Sequence, residues 1–150
     1  LITEGGAAVE DQYVWLNILP IEDGTGVNPA LDAFIEYNKK PDGFGLQAFA
    51  AGMVFGEAVN RVIASNNGDP NTVTRANLLD AIRNMHDYSA EGLLPPDLDI
   101  GAKKASTCLV GMQVQDGKFV RVSPTEKGEF NCGDKTPVII TVDPVKEFKG

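Results

Sequence analysis

The stretch Tyr13-Val-Trp-Leu-Asn-Ile-Leu19 decides how the rest of the sequence is interpreted, because it is a near-continuous apolar run close to the start of the chain. Strands that are apolar on both faces are typical of the middle of covered, mostly parallel sheets. The run therefore predicts a buried strand that needs neighbouring strands. The segments that follow it predict helices instead, so the expected neighbours do not come next in the chain.

Three segments after this strand predict helices. Asn28 and Pro29 favour a helix start, because Asn caps free backbone amides and Pro suits the first helical position. A second helix is predicted over roughly 44–65, where many small residues suggest close packing against a sheet. A third is predicted from about Thr72 to Met85, where apolar residues recur every three positions. The three helices separate the first strand from all later ones.

The C-terminal part of the chain predicts extended structure. Two adjacent prolines exclude a helix between Gly92 and Gly101, which we expect to be extended. Asp116-Gly117 separates apolar runs at 107–115 and 118–122, a pattern that predicts a hairpin with a type I′ turn. A last strand is predicted at 137–142. The expected fold class is therefore α/β, with too few strands to form a parallel sheet beneath the helices.

Composition and charge exclude several classes of protein. The chain has 150 residues, of which 21 are acidic and 13 are basic, giving a net charge of −8. A chain with this charge would be repelled by nucleic acid, so no nucleic-acid partner is expected. No apolar run reaches the length that spans a bilayer. The first residues show no leader pattern, which predicts a processed chain or a piece of a longer one.

The two cysteines, Cys108 and Cys132, lie 24 residues apart and outside any Cys-x-x-Cys pair. With a single histidine in the chain, a His/Cys metal site would lack ligands, so no metal is expected. One disulfide is the favoured interpretation, and it would indicate a periplasmic or extracellular setting. The alternative is two unrelated thiols, one of them buried on a strand.

Catalytic patterns are almost absent. His86 is the only possible histidine base, and its place at a predicted helix end favours an interaction with the helix carbonyls. The acidic pairs Glu22-Asp23 and Asp97/Asp99 lie in Pro- and Gly-rich loops, where solvated carboxylates are expected. No glycine-rich phosphate loop is present. The sequence therefore predicts a protein that is not an enzyme, with no catalytic residues and no cofactor.

Five short motifs, in chain order, resemble type I periplasmic binding proteins of the branched-chain amino acid receptor group. The most informative is Pro41-Asp-Gly-Phe-Gly-Leu-Gln-Ala-Phe-Ala-Ala51, which is similar to the family's P-D-x-x-x-x-x-x-Y-D-A helix. The other four are Gly6-Ala-Ala-Val-Glu-Asp-Gln-Tyr-Val-Trp15, the segments 28–37 and 69–85, and Val114-Gln-Asp-Gly-Lys-Phe-Val120. Together they cover nearly the whole chain.

The resemblance implies a division of the chain between two three-layer α/β lobes, with a C-terminal β-hairpin region. Residues 1–19 would be the end of the second lobe and a crossover strand, and 20–90 the helical end of the first lobe. Residues 91–101 would be another crossover, and 102–150 the end of the second lobe. The chain would then be the C-terminal portion of a protein whose missing N-terminal part supplies the absent strands.

The resemblance also implies a function. Such a protein is the extracytoplasmic solute-binding component of an ABC uptake transporter, which captures an amino acid or similar small polar ligand between its lobes and delivers it to a membrane permease. The expected location is periplasmic or extracellular, with a lipid anchor on the absent N-terminus as one option. Two alternatives stay open: a ligand-sensing domain of the same fold for a signalling partner, and a hydrolase that uses His86.

Three residues are expected to face the ligand. Phe49 occupies the family's aromatic position at the start of the long helix, where Tyr is more common, and Ala50-Ala51 replaces the family's Asp-Ala. Gln47 and Asn17 are the other two candidates. The alternative for Phe49 is an ordinary place in the hydrophobic core.

Overall fold

A computed structural model of the chain describes residues 2–133. Its α-helices are α1 (Ile2–Gly5), α2 (Pro29–Tyr37), α3 (Gly43–Ser65) and α4 (Arg75–Arg83), and its strands are β1 (Tyr13–Leu16), β2 (Val110–Gln115) and β3 (Lys118–Ser123). Three 3-10 turns cover Gly6–Val9, Ile21–Asp23 and Pro70–Thr72. The strand predicted at 137–142 lies outside the described residues. Within the described range, no helix combines the length and the apolar composition needed to cross a membrane.

The first two predicted helices are confirmed, and both begin at side-chain caps. The Asn28 side chain accepts hydrogen bonds from the amides of Ala30 and Leu31, each at 3.0 Å. Asp42 caps α3 in the same way, accepting from the amides of Phe44 and Gly45 at 3.0 and 2.9 Å. Such caps satisfy donors that have no partner inside the helix.

The third helix is shorter than the predicted span of 72–85. Thr74 is its N-cap, since the Thr74 hydroxyl accepts a hydrogen bond from the Asn77 amide at 3.2 Å. The residues before it form the 3-10 turn Pro70–Thr72, in which Asp69 accepts from the Asn71 amide. The start of this helix is therefore set by its side-chain cap, and the spacing of apolar residues placed it too early.

The sheet contains three antiparallel strands in the order β1-β2-β3. Asp116 and Gly117 both have positive φ, at 50° and 68°, which confirms the predicted hairpin turn between β2 and β3. The Glu10 carboxylate accepts hydrogen bonds from both amides of this turn, at 2.7 and 3.2 Å. The start of the chain is therefore tied to a turn more than a hundred residues later.

The prediction that the first strand is buried in a parallel sheet is wrong for the described residues. β1 pairs with β2 alone and runs antiparallel to it. Side chains alternate between the two faces of a strand, and Tyr13 and Trp15 are 60% and 56% exposed while Val14 and Leu16 are half-buried. The sequence shows no polar alternation here because the solvent-exposed face of the strand carries the aromatic residues Tyr13 and Trp15.

This topology explains the uneven order of elements in the sequence. β1 comes from the beginning of the chain and β2 and β3 from its end, and all the longer helices lie between them. The architecture is mixed helix and strand. The main core cluster forms where the segment after β1 meets α2, α3 and the loop before residue 94; its members are Ile18, Leu19, Ala30, Leu31, Phe34, Leu46, Ala50, Ala90 and Leu93.

The close packing expected for the small residues of α3 is only partly made. Gly45 lies against Phe34, since a Cβ at Gly45 would be 3.4 Å from that ring. At Gly52 and Gly56, by contrast, a Cβ would meet nothing within 4 Å among the described residues. On the same helix Phe44 is 85% exposed and Phe55 is 55% exposed. One face of α3 is therefore apolar, rich in small residues and uncovered by the described chain.

The segment 92–101 is not extended, contrary to the prediction, although the prolines do keep it out of a helix. It is a series of turns that begins with positive φ at Ala90, Glu91 and Gly92. The Leu94 amide donates to the Ser89 carbonyl at 2.9 Å, which closes the first turn. Glycine suits the φ of 84° at position 92 because it carries no Cβ.

Asp23 forms the one buried ion pair among residues 2–133, and its expected exposure to solvent is wrong. Its side chain is 1% exposed and that of Arg121 is 7% exposed. Arg121 Nε donates to Asp23 Oδ1 at 2.7 Å, and Nη2 donates to Oδ2. The Gly128 amide adds a bond to Oδ2 at 3.0 Å, and Lys127 Nζ donates to the Asp23 carbonyl at 2.8 Å. The turn after β1 is thereby fastened to β3 and its following loop.

The predicted disulfide between Cys108 and Cys132 is present. Next to it, Leu109 and Asn131 form a two-bond antiparallel bridge with N···O distances of 3.0 and 2.9 Å. Cys108 is buried and Cys132 is exposed. The disulfide therefore holds the last described residues against the start of β2.

Breaking the buried ion pair should cost more stability than replacing it. We expect Arg121→Met or Asp23→Leu alone to lower the free energy of unfolding by about 3–5 kcal/mol, because each leaves a buried charge without its partner. The double variant Asp23→Leu/Arg121→Met should lose less than the sum of the singles. Urea unfolding of all four proteins measures the coupling, and additive losses would contradict it.

Replacing the disulfide with two serines should lower the free energy of unfolding by about 3.5 kcal/mol, the loop-closure value for 24 residues. Unfolding with and without reductant measures it. Reductant should destabilise the wild type and leave Cys108→Ser/Cys132→Ser unchanged. Two reactive thiols in the unreduced, unfolded wild type would show that the bond does not form.

Candidate functional site

A groove lies where the segment after β1, α3 and the turns of 94–106 meet, and we call it the crossover groove. Its volume is about 410 Å³. The described residues that line it are Asn17, Ile18, Gln47, Ala50, Ala51, Val54, Leu94, Pro95, Leu98, Ile100 and Ser106. None of these eleven is charged, and three carry a side chain that can form hydrogen bonds. The groove is therefore an apolar trough with amide and hydroxyl groups.

The structure brings together two of the three predicted ligand residues. Asn17 directly follows β1, and Gln47 lies in the second turn of α3, thirty positions later. Both line the crossover groove and both are exposed. The Leu19 amide donates to the Leu93 carbonyl at 3.0 Å, which joins the segment after β1 to the loop that enters the groove.

Phe49, the third predicted ligand residue, lies elsewhere. It packs on the main core cluster, with its ring centroid 5.6 Å from that of Phe34. It does not belong to the residues that line the crossover groove. The geometry fits the alternative interpretation, a core aromatic, and its ligand role stays a prediction.

Ser106 is held in the groove by a hydrogen-bond hub at Asp97. The Asp97 carboxylate accepts from the Ser106 hydroxyl, and from the amide and hydroxyl of Thr107 at 2.8 Å each. The Ser106 oxygen in turn accepts from the Cys108 amide at 2.8 Å. The hub fastens the turns at 95–98 to the segment before β2 that contains Cys108.

The same bonds lower the pKa of Asp97. Burial by itself would raise the pKa of this carboxyl, but the hydrogen bonds from Ser106 and Thr107 outweigh it and hold the pKa below its usual value. Asp97 was expected to be a solvated loop carboxylate. It is instead held in the fold by hydrogen bonds from Ser106 and Thr107.

A second set of contacts joins the end of the groove segment to the C-terminal end of α4 and the residues that follow it. His86 Nδ1 and Asp99 Oδ1 are 2.8 Å apart, and Asp99 also accepts from the Ala102 amide at 2.8 Å. The Ala102 bond first, and then the His86 bond, lower the pKa of the Asp99 carboxyl. The Gly101 amide donates to the Met85 carbonyl at 2.8 Å, and a Cβ at Gly101 would collide with the Arg83 carbonyl. Glycine is required for this approach.

The hydrolase alternative depends on His86, whose ring contacts Asp99. His86 and Asp99 provide an oriented histidine, but no serine, threonine or cysteine among residues 2–133 hydrogen-bonds to the other ring nitrogen. No cluster of three metal-ligating side chains occurs in the same range. The crossover groove can bind a molecule through apolar contact and neutral hydrogen bonds.

Sequence reasoning missed Ser106 and the apolar residues Leu94, Leu98 and Ile100. They lie in irregular turns, where periodicity carries no information about which side chains meet. It also passed over Phe44, whose 85% exposure in the first turn of α3 is the largest among the big apolar side chains described. The sequence feature that could have indicated its exposure was an aromatic residue close to the helix N-cap, Asp42.

No protein-family model matches the chain, and no curated protein matches its sequence.

Replacing Asp97 with Asn should destabilise the protein by about 1 kcal/mol at neutral pH, because a charge-assisted hub becomes a neutral one. The folded pKa is lowered, so this stabilisation is present above the unfolded pKa and is lost as pH falls through the folded value. The difference between the two proteins should therefore shrink below about pH 4. Urea unfolding of both proteins between about pH 3 and pH 7 checks this, because the range extends from below to well above the ordinary pKa of aspartate.

The control is Asp116→Asn, since the type I′ turn accepts either residue and the Asp116 side chain makes no hydrogen bond among the described residues. An equal, pH-independent loss in both variants would contradict the role assigned to Asp97.

Proposed function

We propose that the chain is the C-terminal portion of an extracytoplasmic solute-binding component of an ABC uptake transporter, which captures an amino acid or similar small polar ligand. The observation that carries the proposal is the meeting of Asn17 and Gln47 in one groove. Both were selected from the sequence on the family resemblance. The groove also forms where the two segments assigned as crossovers lie together, joined by the Leu19–Leu93 hydrogen bond.

The chemistry of the groove suits one part of such a ligand. Asn17, Gln47 and Ser106 offer amide and hydroxyl groups, and the remaining lining is apolar. A ligand's carbonyl, hydroxyl or amide group would form hydrogen bonds here while its carbon skeleton lies on the apolar wall. Because the described lining carries no charge, the charged ends of an amino acid would be bound by the rest of the protein.

Two uncovered apolar surfaces support the proposal that a preceding part of the same polypeptide packs against the described residues. The first is β1, whose outer edge is unpaired among the described residues and which exposes Tyr13 and Trp15. Edge strands are normally protected by charge, proline or a bulge, and β1 has none of these. The second is the face of α3 that contains Gly52 and Gly56. We propose that strands of the N-terminal part cover both.

The disulfide supports the proposed location outside the cytosol, because such bonds persist in oxidising compartments. Delivery of the ligand to a membrane permease is part of the same proposal. So is hinge closure around the ligand, in which the ligand stabilises the closed form by binding it more tightly.

A ligand screen on the full-length protein tests the function. A ligand that binds the folded state raises the unfolding midpoint by mass action. We expect at least one amino acid or small amide to do so, and Asn17→Ala and Gln47→Ala each to weaken its affinity about five- to tenfold, the value of one neutral hydrogen bond.

The matched control is Asn60→Ala, an exposed amide on α3 outside the crossover groove. Phe49→Leu tests the remaining prediction, since it keeps the core apolar but removes the ring. Equal losses in all variants, or no response to any ligand in the screen, would contradict the proposal.

A further inference from the structure

A second cavity lies between the sheet and the start of α3, and we call it the sheet–helix cavity. Its volume is about 160 Å³. The sheet contributes Val14, Leu16, Met112 and Phe119, and the helix contributes Gly43 and Leu46. The segment 18–21 closes another side. The cavity shares Ile18 and Gln47 with the crossover groove but otherwise has its own lining.

The size and the lining of this cavity indicate what it can hold. Engineered cavities of about 150 Å³ with aliphatic and aromatic walls stay dry and bind benzene, because water needs two to four polar partners. Only Glu22 and Gln47 bring hydrogen-bonding side chains to the described lining. Both residues are exposed, so they mark the side that opens to solvent. The interior suits an apolar body, and the opening suits one hydrogen-bonding group.

The charges around the opening favour a neutral ligand. Although Glu22 is an exposed residue, the protein atoms around its carboxyl partly desolvate it and raise its pKa; the Glu22 backbone amide opposes this, and the neighbouring Asp23 adds to it. A ligand anion would approach this carboxyl and be repelled. A cation gains little from Asp23, which is already paired with Arg121, and it would lose hydration against the apolar lining.

We propose that the sheet–helix cavity is a binding site for a small neutral compound with a compact apolar body of about six carbons and one hydroxyl group. The ring would lie between Leu16, Leu46 and Phe119, and the hydroxyl would reach Glu22 or Gln47 at the opening. The ligand would occupy the junction of the sheet and the helical layer. The inference does not depend on the function proposed for the crossover groove, although the two sites share Ile18 and Gln47.

The test is titration of the full-length protein with benzyl alcohol, followed by NMR or calorimetry. Gly43→Leu should weaken binding at least about tenfold, because the new side chain has room to fill the cavity. The control is Gly52→Leu, the same substitution on the same helix, where a Cβ also meets nothing within 4 Å but no cavity wall is involved. Its affinity for benzyl alcohol should be unchanged.

Two further measurements sharpen the chemistry. Benzoate should bind at least about tenfold more weakly than benzyl alcohol, and Glu22→Gln should reduce that difference. If Gly43→Leu does not fold, Leu46→Ala replaces it: the enlarged cavity should bind a naphthyl alcohol more tightly than the wild type does. Equal binding by Gly43→Leu and wild type, no binding of benzyl alcohol, or equal affinity for benzoate would overturn the proposal.

Discussion

The ion pair between Asp23 and Arg121 is the constraint on which the arrangement of the chain depends. Asp23 ends the turn that follows β1 and leads into the helices, whereas Arg121 belongs to β3, nearly a hundred positions later. A buried carboxylate needs both a counter-charge and hydrogen bonds, and Asp23 receives them from Arg121 and Gly128. The pair therefore joins the hairpin to the start of the helical layer and helps to fix its placement.

That placement creates the crossover groove and the sheet–helix cavity together. The segment between β1 and the Asp23 turn borders both, and Gln47 of α3 lies at both. The Asp97 hub then holds Ser106 at the groove, while Gly101 docks its far end on α4. The two sites differ in chemistry: the groove offers several neutral hydrogen-bonding groups, and the cavity offers apolar volume with a single polar opening.

The predictable parts of the fold were those with a local cause. Asn28 starts a helix because its side chain binds amides two and three positions later, and Asp116-Gly117 turns because both residues accept positive φ. In the site, Asn17 and Gln47 were found through the family resemblance. Ser106 was not found, because its position depends on Asp97, nine residues away in an irregular segment.

The sequence by itself determined the helices α2 and α3, the hairpin and the acidic charge, because each follows from neighbours in the chain or from composition, and it favoured a disulfide between its two cysteines. Only the tertiary structure decided that β1 is an antiparallel edge strand, that Asp23 is buried and that Phe49 packs on Phe34. Those outcomes depend on which distant side chains meet. Burial and pairing are properties of two segments at once, and no single stretch of sequence contains them.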